Sequence, residues 1–283
     1  MIANRVIPTI SEKPFRTIAP SRRWVAIDIK EFCRAHELLF FLALRDVKLR
    51  YKQTALGVMW AVLQPLLSMI IFTLLFGKVA KIPSNGVPYP LFAYCGLLPW
   101  TFFANGLTNS SNALVTNANL ISKVYFSRLV MPTAAVLAGL IDLAISFLLL
   151  FPLFIAYRVA PTWNLLALPL LVLLVTLLAL SIGLVFSALN VKYRDIRHAL
   201  PFVVQLAMFA TPIIYPLSLV PAKWRWLVQC NPMAAVIEGF RASLLGTPID
   251  WPGLSQAALV TFFLLACGAF YFRSMEKSFA DVI

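Results

Sequence analysis

"RDVKLRYKQTALGVMWAVLQPLL", residues 45–67, places four basic side chains, Arg45, Lys48, Arg50 and Lys52, within eight positions, and the chain then runs uncharged to Lys78. A helix needs about 20 apolar residues to cross the hydrocarbon core of a bilayer, and this run is long enough. Lys and Arg collect on the cytoplasmic side of such spans. The cluster therefore reads as the anchor that pins the inner end of a first membrane span.

The rest of the chain agrees. Of 283 residues, 61% are hydrophobic and 12% charged, with a mean hydropathy of +0.85; soluble domains carry roughly 25% charged residues. Lipid admits only helices or closed barrels. The apolar runs here are continuous rather than alternating, which selects helices. The expected fold class is an all-α integral membrane protein.

A net charge of +13 would suit a nucleic-acid-binding protein, but 11 of the 24 Lys and Arg precede the first span. Positive-inside topology, with some attraction to anionic lipid, explains that placement without a recognition fold. Cys33, Cys95, Cys230 and Cys267 have no metal-ligand spacing, and no disulfide framework is expected. The first 23 residues carry five basic side chains and no apolar h-region, so no cleavable signal is expected.

Residues 1–23 read as a cytoplasmic tail, and 24–53 as an amphipathic interface helix followed by the basic cluster. Val25, Ile29, Phe32, His36 and Leu39 stack on one helical face, with Lys30, Arg34 and Glu37 opposite. The pattern predicts a helix over 24–45 lying in the membrane plane. Residues 54–275 form the membrane domain, with spans at about 54–77, 89–107, 130–157, 164–189, 199–219 and 253–272. A cytoplasmic tail, 276–283, closes the chain. Within 221–246, residues 231–246 are apolar but too short to cross and are interrupted by Glu238 and Arg241, so they suggest an external re-entrant or interfacial helix. With both termini inside, 18 Lys and Arg fall on the cytoplasmic side and six outside.

Chemistry is sparse. Asp142, in the middle of the third span, reads either as a proton or cation site or as an acid bonded to a neighbouring helix. Glu238 and Arg241, three residues apart, can pair on one helical face, as a structural pair or as part of a gate. Catalytic motifs such as HExxH and GxSxG are missing. At the only Gly-Lys pair, Gly77-Lys78, a P-loop would need glycine at Phe72. If ATP drives transport, another chain hydrolyses it.

Five blocks then point to a family: "FLALRDVKLRYKQTALGVMWAVLQPLL" (41–67), "PYPLFAYCGLLPWTFF" (88–103), "NANLISKVYFSRLVMP" (117–132), "NVKYRDIRHALPFVVQLAMFATPIIYP" (190–216) and "NPMAAVIEGFR" (231–241). In this order they resemble the permeases of ABC-2-type exporters for O-antigen, capsule and teichoic acid, over roughly residues 24–275. The resemblance implies a homodimer of six-span subunits with two copies of a separate ATP-binding subunit, which would carry the ATP and Mg. This chain would itself hold no cofactor or metal. The cargo would be a glycan on a polyprenyl-diphosphate lipid, moved across the bacterial cytoplasmic membrane.

By the same resemblance, Lys30, Arg34 and Glu37 on the interface helix, Asn119 and Lys123 in the first inner loop, and Arg194 and Asp195 in the second would meet the ATPase. Residues 221–246 would form external gate helices containing Glu238 and Arg241. Trp60, Phe72, Phe202, Phe209 and Tyr215 offer a sugar chain stacking faces along a channel. Arg45, Lys48, Arg50 and Lys52 suit a diphosphate headgroup as well as they suit anchoring. Two other readings stay open: export of a small lipid or drug by the same family, and an ion-coupled carrier in which Asp142 or Glu238 titrates.

Overall fold

A computed structural model describes residues 34–52, 59–123 and 126–282; Lys30, the first 33 residues and the start of the first span lie outside the described residues. All regular structure among them is helical: α1 His36–Lys52, α2 Met59–Phe72 with a π-helical extension Thr73–Val79, α3 Tyr89–Thr116, α4 Ala118–Lys123, α5 Val130–Leu148, α6 Leu150–Tyr157, α7 Leu168–Lys192, α8 Ile196–Ala210, α9 Ala222–Gln229, α10 Pro232–Leu245 and α11 Trp251–Val282. Four segments are long and apolar enough to cross a membrane: Met59–Val79, Val130–Tyr157, Trp163–Lys192 and Trp251–Glu276.

The central post is α3. Nineteen of its 28 residues are buried, and it packs against α2, α5, α7, α8 and α10. The sequence places the end of this span near Leu107 because the following Asn and Ser would be costly in lipid. The helix instead continues unbroken to Thr116, because those polar residues turn toward other helices. Ser110 lies so close to α7 that a Cβ on Gly183 would fall 2.5 Å from its Oγ. Asn190 of α7 donates to the Ser111 carbonyl (3.0 Å) and to Asn112 Oδ1 (3.1 Å). Small side chains likewise let α11 approach α7, where a Cβ on Gly268 would meet the Ser181 carbonyl at 2.5 Å. Helices in membranes pack closely through such small residues.

Two further features depart from the sequence reading. The fifth span, expected over 199–219, is a helix only over Ile196–Ala210; at about 1.5 Å per residue its 15 residues fall short of the hydrocarbon thickness. Thr211 is extended and Pro212 and Pro216 follow, so the chain turns instead of continuing. The interface helix, expected to end near Arg45, runs on to Lys52 and carries the whole basic cluster. Leu42 packs with Leu129, Val130 and Ala134 at the start of α5, while Arg50 and Tyr51 bond Asp142 farther along it. The described part of α1 thus runs alongside α5 in the same direction, and Asp142 lies about 18 Å along the α5 axis from Val130.

The break at Pro65 has a local remedy. Proline cannot donate to the carbonyl four residues back, which leaves the Ala61 oxygen without its helical partner. Ser146 Oγ of α5 donates to it at 2.9 Å, joining α2 to α5 at the level of Asp142.

Candidate functional site

Two constellations of polar side chains sit within this apolar frame. The first is at the N-terminal end of α3. Arg241 of α10 is almost fully buried, at 3% exposure. Its Nη1 donates to the Pro212 carbonyl and to Glu238 Oε1, both at 2.8 Å, and its Nη2 to the Ile213 carbonyl at 2.5 Å. The Nε reaches the Phe92 carbonyl at 3.4 Å, and the guanidinium lies over the Phe92 ring, 3.7 Å from its centroid. Tyr89 donates to the Ile214 carbonyl (2.8 Å) and Asn231 Nδ2 to Thr211 Oγ1 (3.0 Å). The 211–215 turn exposes carbonyls that no helix satisfies, and Arg241 supplies the donors. The predicted Glu238–Arg241 pair therefore exists, inside a braced block.

The second constellation opens beside α2. A cavity of about 310 Å³ lies between α1, α2, α3 and α5, with Arg50, Tyr51, Trp60, Gln64, Asn105 and Asp142 in its wall. Arg50 pairs with one oxygen of Asp142 and Tyr51 donates to the other, so this acid of α5 is bonded to a neighbouring helix. Thr101, Asn105 and Asn109 follow one another at four-residue spacing on α3 and face the same space. Among the described residues, Gln64, Asn105 and Asn109 have no side-chain hydrogen bond. Gln64 and Asn105 are exposed and Asn109 is half-buried, so this polar face is open to water or a polar ligand.

At the C-terminal end of α3, segments far apart in sequence converge. Arg45 Nη2 donates to Asn117 Oδ1 and to Asp46 Oδ1, both at 2.8 Å, tying α1 to the junction of α3 and α4. A second cavity, of about 370 Å³, spans that junction and the 190–198 turn, lined by Ala118, Asn190, Arg194, Arg197 and His198.

The sequence-selected residues distribute as follows. Arg34, Glu37, Asn119, Lys123, Arg194 and Asp195 are exposed, on segments that adjoin at this end of α3. Of the headgroup candidates, Lys48 and Lys52 are exposed, whereas Arg45 and Arg50 hold the partners just described. Trp60, Phe202 and Phe209 are half exposed or more. Phe72 packs edge-on against Phe76, with centroids 5.7 Å apart, and the half-buried Tyr215 donates to the Phe209 carbonyl at 3.4 Å. Of these five aromatics only Trp60 lines the polar cavity. Gln64, Asn105, Asn109 and Asn117 escaped the sequence reading. The Thr101, Asn105, Asn109 spacing is the signal that marks one polar face inside a buried helix.

A membrane domain that is all-helical among the described residues, with loops clustered at one end and a polar cavity beside a span, is the architecture of a membrane permease. The chain belongs to the ABC-2 type transporter family, whose model matches residues 37–245. It is 31% identical over 258 residues to the O-antigen export system permease protein RfbA of Myxococcus xanthus, covering 90% of this chain and 98% of that protein. The corresponding protein of Klebsiella pneumoniae is 29% identical over 253 residues, 87% of this chain and 95% of its own. The polysialic acid transport protein KpsM of Escherichia coli is 26% identical over 243 residues, 84% of this chain and 93% of its own.

Proposed function

We propose that this chain is the permease subunit of an ATP-driven exporter that moves a lipid-linked polysaccharide across the bacterial cytoplasmic membrane. The observation that carries the reading is the length of the match: the relatives align over nearly their whole chains, and they are export proteins for O-antigen and polysialic acid. Six crossings follow if the segments around 89–107 and 199–219 join the four long apolar ones. The excess of Lys and Arg then supports cytoplasmic termini. Two copies of the chain work with two copies of a separate ATP-binding subunit that carries ATP and Mg.

The inner end supports the coupling route. Movement of α1 is conveyed to α3 through Arg45 and Asn117 and to α5 through Arg50 and Asp142. An ATPase that grips the Arg34 and Glu37 face together with α4 and the 190–198 turn therefore acts on both helices at once. Glu238 and Arg241 belong to the external gate, α9 and α10, over which the polymer leaves. Trp60, Phe202 and Phe209 face the path, and Lys48 and Lys52, exposed on α1, attract the diphosphate headgroup.

The test is purification of the tagged chain from its native host in gentle detergent. An ATP-binding subunit should accompany it at one-to-one stoichiometry. An intact, folded chain that arrives without one contradicts the reading.

A further inference from the structure

We infer that the cavity between α1, α2, α3 and α5 is a binding site for one neutral sugar ring of the transported glycan, held by the carboxamides of Gln64, Asn105 and Asn109 against the indole of Trp60. The identity of the ligand rests on the export reading above. The shape and chemistry of the site do not.

Four observations carry the inference. At about 310 Å³ the space is a small-ligand cavity rather than a packing defect. Its carboxamides are unpaired among the described residues, and each carries both donors and acceptors. Sugar hydroxyls also donate and accept, so each amide can be satisfied by one or two of them. Among the described residues, the only charged groups in the wall are Arg50 and Asp142, and they are bonded to each other. With its cation already neutralised, the wall offers no preference for a phosphate, which seeks free Arg or Lys donors; it selects an uncharged polyol. Finally Trp60, half exposed on α2, borders the same space and gives the C–H face of a pyranose a flat apolar surface.

The position has a mechanical consequence. Arg50 and Tyr51 belong to α1 and the amides to α2 and α3, so a ring seated here touches the helix expected to follow the ATPase. Displacing α1 along α5 changes the cavity wall directly, which releases the ring at the moment the ATPase acts. The site is a step along the path of the polymer, occupied by successive sugars.

The full-length chain in lipid nanodiscs tests this with three photoreactive amphiphiles. They share one alkyl chain with a diazirine beside the headgroup and differ only in that headgroup: a glucoside, a phosphate or a short polyether. Peptides containing 60–64 and 101–109 should be labelled several-fold more by the glucoside than by either of the others. Asn105→Ala with Asn109→Ala should lower that labelling roughly tenfold, as expected for two lost hydrogen bonds, while labelling of Phe262 and Phe263 on α11 is unchanged. The pair Asn105→Gln and Asn109→Gln should keep most of it.

Equal labelling by the three probes, a preference for the phosphate, or no labelling at all would overturn the inference, and each is read on the wild-type chain without relying on a variant. Vesicles of wild-type chain that export glycan yet show no glucoside labelling would remove the site and leave the export reading standing. Glucoside labelling without export would support the site and remove the reading.

Discussion

Among the described residues, Arg241 and Arg50 both form ion pairs within the helical domain, and they are treated in opposite ways. Arg241 is closely bonded: three backbone carbonyls and one carboxylate take four of its five N–H donors, and an aromatic ring covers its face. Arg50 spends its charge on Asp142 but leaves side chains of α2 and α3 unpartnered across an open space. Burying a charge is costly unless it is fully bonded, so the first arrangement buys rigidity. The second leaves polar capacity free, and free polar capacity in an apolar domain is what a passing hydrophilic substrate can use.

If that contrast is right, changes at Arg241 act on folding and changes at Arg50 and Asp142 act on transport. The largest effect belongs to Arg241→Met. It strands the carbonyls of Phe92, Pro212 and Ile213, and each buried acceptor left without its donor costs about 1–3 kcal/mol. Most of the protein should be lost as aggregate, read by size exclusion after heating in detergent; a normal melting profile would end the structural role. Gly96→Ala attacks the same block sterically. Its Cβ would lie 2.8 Å from Arg241 Nη2 and 3.3 Å from the Ile213 carbonyl, and overpacking of this kind costs about 1–3 kcal/mol, measurable as a lowered melting temperature.

Asp142→Asn should separate stability from function. The two side chains of the ion pair are 31% and 21% exposed, so solvent screens them and the loss of stability is about 1 kcal/mol or less. Glycan export should nevertheless fall at least about tenfold, because an unpaired Arg50 offers its charge to the cavity, where each 1.4 kcal/mol is a factor of ten. Export at the wild-type rate would return the pair to a purely structural role. Exchanging the charges at Arg34 and Glu37 should loosen the ATP-binding subunit during co-purification without affecting insertion. Glu238→Gln should have the smallest effect on stability. Glu238 is partly exposed, Arg241 keeps its carbonyls, and a change below about 1 kcal/mol is expected, while the rate of export shifts and ATPase binding does not.

Legibility in the sequence followed what each helix faces. The segments Val130–Tyr157, Trp163–Lys192 and Trp251–Glu276 expose apolar residues to the membrane, and their uninterrupted runs marked them to within a few residues. Only the first half of α3 was readable as a span. Its second half is buried against α7, and a stretch rich in Asn and Ser looks the same in sequence whether it faces water or another helix. The Glu238–Arg241 pair was visible because three residues of helix bring them together. The carbonyls that complete the cluster come from residues 92, 212 and 213, which no local pattern connects to Arg241. The same limit hid the Arg50–Asp142 bond, whose partners lie 92 positions apart. The sequence named both residues and raised the possibility of an interhelical bond for Asp142, but it had no means of introducing them to each other.

The central claim is that this chain is the membrane path of an ATP-driven glycan exporter, and the most direct measurement is transport itself. Proteoliposomes containing the chain and its co-purified ATP-binding subunit, loaded on one face with lipid-linked glycan extracted from the host, should deliver that glycan to the opposite face when ATP and Mg are added, and should stop when nucleotide is withheld. Delivery that continues without nucleotide and follows an imposed proton gradient would contradict the claim and identify an ion-coupled carrier.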